Sequence, residues 1–133
     1  MKSFLIASIL FLFVEACKTE NLSNLNKDID LYQNELVHLD AKHKLNFEAT
    51  EINDSRCPEG VTCVWEGYAS VIIKVKSENT DITDLKLCTG ACNAIGSKEL
   101  LFNVNNDRYK VSLIAIQKGK ADRLKAVIRV SGY

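Results

Sequence analysis

The sequence predicts an all-β protein, a small antiparallel β-sandwich or barrel of six to seven strands. Apolar and polar residues alternate with a period of two along much of the chain from residue 35 onward, which is typical of half-buried strands. Turn-forming residues separate these stretches, and no window in this part has a long helical period. With 133 residues, of which 47% are hydrophobic, the chain has the size and composition of one domain with a core.

The predicted strands follow one another with short connections. In the first, Ile52 breaks the alternation of Leu45, Phe47 and Ala49, as a β-bulge does. Leu85 begins a short strand that ends at Cys88. The turn signal at residues 105–107 predicts a hairpin. The other strands are predicted by their apolar faces: Ala69, Val71, Ile73 and Val75; Leu100, Phe102 and Val104; Tyr109, Val111 and Leu113; Leu124, Ala126, Ile128 and Val130.

Residues 1–16 predict an export signal. Lys2 precedes an apolar run over residues 4–14, and Ala16 stands immediately before Cys17, which is the layout of a secretory signal peptide. The run is too short to cross a membrane as a helix, which takes roughly 20 residues. We therefore expect this segment to be removed and to play no part in the fold.

Two interpretations of the cleavage site end at the same bond. Val14 and Ala16 suit ordinary signal-peptidase cleavage, but together with Cys17 they also resemble a bacterial lipobox, in which Glu15 is an atypical residue. The chain has five cysteines, and lipidation of Cys17 would leave an even number for disulfides. We therefore expect a lipid anchor at Cys17. Simple secretion is the alternative.

The following segment, residues 17–34, is predicted to be the lipidated cysteine and a polar tether. It contains neither glycine nor proline, and a short helix is the alternative because four residues fall at helical spacing: Leu22, Leu25, Ile29 and Tyr32. The β domain is then expected to cover residues 35–133.

A cysteine-rich loop, "DSRCPEGVTCVWEG", occupies residues 54–67. Pro58 suits the second position of a type I turn from Cys57 to Gly60, and this reversal brings Cys57 toward Cys63. In an oxidising compartment a disulfide is the natural product. The second pair, Cys88 and Cys92, has the same local layout in "CTGAC". Local pairing is favoured, and the two crossed connectivities stay open.

Four residues of this loop are candidate binding residues: Asp54, Arg56, Trp65 and Glu66. Asp54 is expected to accept backbone N–H groups of the turn, and Arg56 to pair with Glu66 or another carboxylate. Trp65 is expected on the start of a strand, where it covers the sulfurs or plugs one end of the core. Gly67 is expected to allow a close backbone approach. These residues either hold the loop in shape or form a binding site.

The stretch "DSRCPEGVTCVWEGYASV" resembles the D-S-R-C-P, V-x-C-V-W and G signature of an uncharacterised family of small bacterial exported proteins and lipoproteins. The resemblance covers roughly residues 36–131, and its specific part is the cysteine loop. It implies a compact β domain with a disulfide between Cys57 and Cys63, and it supplies no catalytic residue. Because the pair Cys88 and Cys92 lies outside the motif, the resemblance also supports local pairing there.

Several function classes are not expected. Lysine plus arginine and aspartate plus glutamate both number 17, so no net charge attracts a nucleic acid. The spacings C-x5-C and C-x3-C are not the C-x2-C knuckles of zinc sites, and neither a metal nor a cofactor is expected. A catalytic cysteine needs a base, and only His38 and His43 are present.

The leading hypothesis is a non-enzymatic bacterial cell-envelope lipoprotein with a binding or structural role. Its partners would be the outer membrane, reached through Cys17, and an envelope protein or small ligand on the periplasmic or cell-surface side. The alternative from another class is a redox-active or otherwise enzymatic exported domain that uses a cysteine pair. A third hypothesis is an inhibitor that presents the loop to a protease.

Overall fold

The computed structural model describes residues 25–40, 44–78 and 80–132. The predicted signal peptide, Cys17 and the first part of the predicted tether lie outside these residues. The described part forms eight strands and a single 3-10 turn over Lys120–Asp122. The strands are β1 Asp28–Tyr32, β2 Leu36–Asp40, β3 Leu45–Asp54, β4 Tyr68–Ser77, β5 Thr80–Gly90, β6 Glu99–Val104, β7 Asp107–Lys118 and β8 Leu124–Gly132.

The strands form two four-stranded antiparallel sheets, so the predicted all-β sandwich is confirmed, with eight strands rather than six or seven. One sheet has the order β2-β3-β4-β5 and the other the order β1-β8-β7-β6. Every strand therefore lies beside its neighbours in sequence, except where the chain crosses from sheet to sheet. These crossings follow β1 and β5, and single bridges from Gln33 to Ala49 and from Ser97 to Leu87 lie beside them.

Strand β1 corrects the expected domain boundary. Residues 28–32 were predicted within a tether or a short helix, but they pair in register with β8, from Asp28 opposite Arg129 to Tyr32 opposite Lys125. Ile29 and Leu31 enter the core with 7% and 0% exposure. Their spacing of two residues is that of a strand face, and the apparent helical spacing of Ile29 and Tyr32 is a coincidence over five residues. The β domain thus includes residues before 35.

The core lies between the two sheets and contains the predicted apolar faces. Phe47 of β3 is fully buried and meets the ring of Phe102 on β6 edge to face, with centroids 5.9 Å apart. Tyr109 of β7 stacks on Phe102 at 5.4 Å. A register shift between Ala49 and Glu51 keeps Ile52 in the core, which confirms the predicted bulge. Aromatic contacts of this kind add to the burial of apolar area.

The sandwich has two poles that matter for function. At the terminal pole, the described chain begins beside the end of β8, where the Asn26 N–H donates to the Val130 carbonyl at 2.7 Å. At the loop pole, β3 ends, β8 begins, and the cysteine loop connects β3 to β4. Strand β8 has nine residues, which corresponds to about 30 Å between the poles at the usual rise per residue.

The burial of β1 predicts that this strand is essential for stability. Leu31→Ala is expected to lower the free energy of unfolding by about 2–5 kcal/mol, because it leaves a cavity in the core. Leu36→Ala is the matched control: Leu36 lies on the neighbouring β2 with 49% exposure, and a loss of about 0.5 kcal/mol or less is expected there. Urea denaturation measures both, and equal losses would contradict the assignment of β1 to the core.

Candidate functional site

Both cysteine pairs form local disulfides. Cys57 is joined to Cys63 and Cys88 to Cys92, at separations of six and four residues in sequence. The predicted local connectivity is confirmed, and the crossed alternatives are not adopted. No thiolate of these four residues is left to bind zinc. In the part of the chain that the structure describes, no cluster of three or more histidine, cysteine or acidic side chains is arranged to hold a metal ion.

The turn inside the first disulfide ring differs from the predicted type I turn. The Val61 N–H donates to the Pro58 carbonyl at 3.3 Å, so the turn covers residues 58–61 rather than 57–60. Gly60, at its third position, has a φ of +77°. A positive φ at this position is typical of a type II turn and explains the glycine. The prediction was wrong by one residue because proline suits more than one position in a turn.

Arg56 attaches the loop to the opposite sheet. Its Nε and Nη2 donate to the two carboxylate oxygens of Asp54 at 2.8 and 2.7 Å, and Nη2 also donates to the Ile116 carbonyl of β7 at 2.7 Å. The Arg56 backbone N–H donates to Asp54 Oδ1 at 3.2 Å, which confirms the predicted role of Asp54. Arg56 pairs with Asp54 and not with Glu66. Both residues of this pair therefore hold the loop in place.

The electrostatics of this pair follow from its hydrogen bonds. The side-chain hydrogen bonds from Arg56 hold the pKa of Asp54 below its ordinary value, although partial burial acts in the opposite direction. The same hydrogen bonds raise the pKa of Arg56. A bidentate arginine–carboxylate pair is strongest when both groups are charged. The attachment of the loop is thus an ionic one that depends on the Asp54 carboxylate.

The base of the loop is closed by the backbone. The Ser55 N–H and hydroxyl both donate to the Tyr68 carbonyl at 2.9 Å. Gly67 has a φ of +73°, and a Cβ on it would lie 2.2 Å from the Ser55 carbonyl oxygen. The predicted close approach at Gly67 is confirmed, and any side chain there would force the loop apart.

Three apolar side chains lie exposed at the loop tip, which we define as residues 61–65. Val61, Val64 and Trp65 are 58%, 96% and 70% exposed. The prediction that Trp65 covers the sulfurs or plugs the core was wrong. Strand β4 begins only at Tyr68, so Trp65 stands on a bend outside the sheet and its ring extends into solvent. Sequence analysis did not select the two valines, although apolar residues on either side of Cys63 in a short loop could have drawn attention to them.

Two exposed carboxylates flank the tip. Glu59 precedes it and Glu66 follows it, and both are exposed. Neither carboxylate forms a hydrogen bond or ion pair with any other described residue. Asp54 neutralises Arg56. The loop therefore presents an apolar tip that is flanked by two negatively charged carboxylates.

A groove lies beside the base of the loop. Its volume is about 680 Å³, and its apolar floor comes from Pro58, Ile116 and Leu124. Lys118, the last residue of β7, and Asp122 of the β7–β8 connection also line it. The groove is therefore lined by apolar side chains and by charges of both signs, among them the Arg56–Asp54 pair.

Of the two histidines, only His38 is described. It lies exposed on β2, where its Nδ1 contacts Asn46 Oδ1 of β3. His43 and Cys17 lie outside the described residues. The described residues contain no helix long and apolar enough to cross a membrane.

The chain has no match among models of known protein families, curated proteins or solved structures. The resemblance of the cysteine loop to the family of small exported proteins therefore stays a prediction. The functional argument depends on the geometry of the loop.

The lowered pKa of Asp54 predicts an acid-sensitive loop. Asp54→Asn is expected to reduce the free energy of unfolding by about 1–3 kcal/mol at pH 7, since it removes a charged acceptor. A depressed folded-state pKa stabilises the fold above the unfolded value of about 3.9, and this contribution is lost as the pH falls through the folded value. The difference in the free energy of unfolding between the wild type and Asp54→Asn should therefore be largest at neutral pH and shrink below about pH 4.

Asp28→Asn is the control for this experiment. Asp28 pairs with Arg129 at the terminal pole, and its side chain is 46% exposed, so a loss of at most about 1 kcal/mol is expected. Chemical denaturation at a series of pH values measures all three proteins. If the gap for Asp54→Asn does not change with pH, the ionic attachment of the loop is contradicted.

Proposed function

We propose that this protein is a non-enzymatic lipoprotein of the bacterial cell envelope that binds another protein through its cysteine loop. The observation that carries the proposal is the exposure of Val61, Val64 and Trp65 on a cross-linked loop. Neighbouring exposed apolar side chains are typical of interaction sites, and tryptophan is among the residues that contribute most to binding energy.

The loop is held in shape before any partner arrives. The Cys57–Cys63 disulfide closes its ring, the Arg56–Asp54 pair attaches it to β7, and Ser55 is bonded to the start of β4. A segment that is already ordered loses little conformational entropy on binding. The exposed side chains therefore form a binding surface that needs no folding step.

The position of the loop also supports binding. With a lipid anchor at Cys17, the terminal pole faces the membrane, because the described chain enters there. The eight residues from Lys18 to Leu25 would reach at most about 28 Å from the bilayer if fully extended. The loop lies at the opposite pole and points away from the anchored membrane, either into the periplasm or outward from the cell surface.

The anchor and the disulfides predict the mass of the protein from its native membrane. The mature chain is expected to begin at Cys17 with a diacyl or triacyl adduct and to show the mass deficit of two disulfides. Intact mass spectrometry before and after unfolding with reductant measures this. A chain without lipid would contradict the anchor, and disulfides reduced rapidly by dithiothreitol in the folded protein would favour the redox alternative.

In-cell photo-crosslinking tests the binding surface. A photo-reactive residue replaces Val64 at the loop tip or, as the control, Asn106 in the exposed β6–β7 turn at the terminal pole. We expect a discrete protein adduct from position 64 and none of the same mass from position 106. Adding Trp65→Ser to the position-64 probe should abolish the adduct, because the main apolar anchor is removed. Equal adducts at both positions, or none at position 64, would contradict the proposal.

A further inference from the structure

The loop tip contains a peptide bond whose two sides are held independently. On one side, Cys63 is joined to Cys57 by the disulfide. On the other side, the Glu66 carbonyl accepts the Cys57 N–H at 3.3 Å, and the Gly67 carbonyl accepts the Ala91 N–H at 3.0 Å. A cut between Val64 and Trp65 would therefore leave both new ends fixed to the body of the domain.

The same bond is presented without obstruction. Val64 is 96% exposed, the highest value among the exposed large apolar residues of the described chain. The N–H groups of residues 62–65 form no backbone hydrogen bond with any described residue. Unpaired backbone groups of this kind can bond to a second chain that lies alongside as an added strand. The tip thus has the free side chain and the free backbone that a protease cleft recognises.

As a deepening of the proposed binding function, on which this inference rests, we propose that the loop is a substrate-like inhibitor of serine proteases. Val64 is the side chain that enters the specificity pocket. Valine is small, branched and apolar, and the tip at residues 61–65 contains neither lysine nor arginine. The target class is therefore elastase-type enzymes with a small apolar pocket, and trypsin-type enzymes with an acidic pocket are disfavoured.

The proposed reaction between the loop and the protease is reversible and consumes no other reactant. The serine oxygen of the protease adds to the Val64 carbonyl carbon, the bond from this carbon to the Trp65 nitrogen breaks, and that nitrogen takes the serine proton through the catalytic histidine. An ester joins the protease to Val64. In an ordinary substrate the amine then leaves and water attacks. Here Trp65 is held by the next two residues, so its nitrogen attacks the ester, re-forms the peptide bond and returns the proton to serine.

Purified proteases test the inference on the full chain in mild detergent. The chain is titrated against pancreatic elastase and trypsin, each with a chromogenic peptide substrate. We expect stoichiometric inhibition of elastase and none of trypsin. Val64→Lys should weaken inhibition of elastase about 100-fold and create inhibition of trypsin, because the pocket chemistry is exchanged. The control is Leu101→Lys at an exposed apolar residue of β6, outside the loop, which should leave both results unchanged.

Opening the ring provides a second test. In the variant Cys57→Ser/Cys63→Ser, Cys63 loses its covalent link to Cys57, so a cleaved end can move away and water can complete the hydrolysis. This variant should keep its β-sheet circular dichroism, be cut by elastase between Val64 and Trp65, and no longer inhibit. In the parent chain, mass spectrometry should find the intact loop after long incubation.

The outcomes separate the two proposals. If the parent chain does not inhibit elastase, if it is cut as fast as the open variant, or if Val64→Lys does not create trypsin inhibition, the inhibitor inference is wrong. A specific adduct from position 64 in cells would then still support a binding loop with a partner of another class. If that adduct is also absent, both proposals fail.

Discussion

The placement of the loop depends on the hydrogen bonds of one guanidinium group. Arg56 lies just after the end of β3 in one sheet, and its side chain donates to the Ile116 carbonyl of β7 in the other sheet. Asp54 balances its charge. A guanidinium fixes both partners at once because its donors lie in one plane. At the loop pole, this hydrogen bond therefore joins the two sheets. The backbone bonds at the base of the loop hold it to its own sheet, and Arg56 adds the contact to the other sheet.

The features predicted from sequence are those with a local physical cause. The period-two faces of β4 and β7 need no partner to be recognised, and the cysteine spacings permit local rings that export would oxidise. Gly67 was also recognisable, since a glycine beside a tight ring commonly marks close backbone approach. Strand β1 was not predicted because it has only five residues, which are too few to show a clear alternation of apolar and charged side chains. Its identity depends on β8, which lies about a hundred residues later.

The position of Trp65 was mispredicted for a related reason. Burial is the usual state of a tryptophan, and a neighbouring disulfide is a plausible cover. In the structure, Leu87 and Ile116 are almost fully buried although Trp65 is 70% exposed, and Gly67 has a positive φ just before β4. Nothing in the fold therefore requires an apolar residue at position 65 or 64. Their exposure is unfavourable for solubility, and this makes a role in recognition the more economical explanation.

The second disulfide supports the first loop rather than forming a separate site. Cys88 is 1% exposed at the end of β5, and the chain turns back there toward Cys92. The Ala91 N–H within this turn donates to the Gly67 carbonyl at the base of the cysteine loop. The Cys57–Cys63 disulfide therefore constrains the segment that leads into the loop tip. The Cys88–Cys92 disulfide constrains the turn that binds Gly67 on the other side of the tip. A loop fixed on both sides loses little freedom when a partner closes over its tip, whichever protein that partner is.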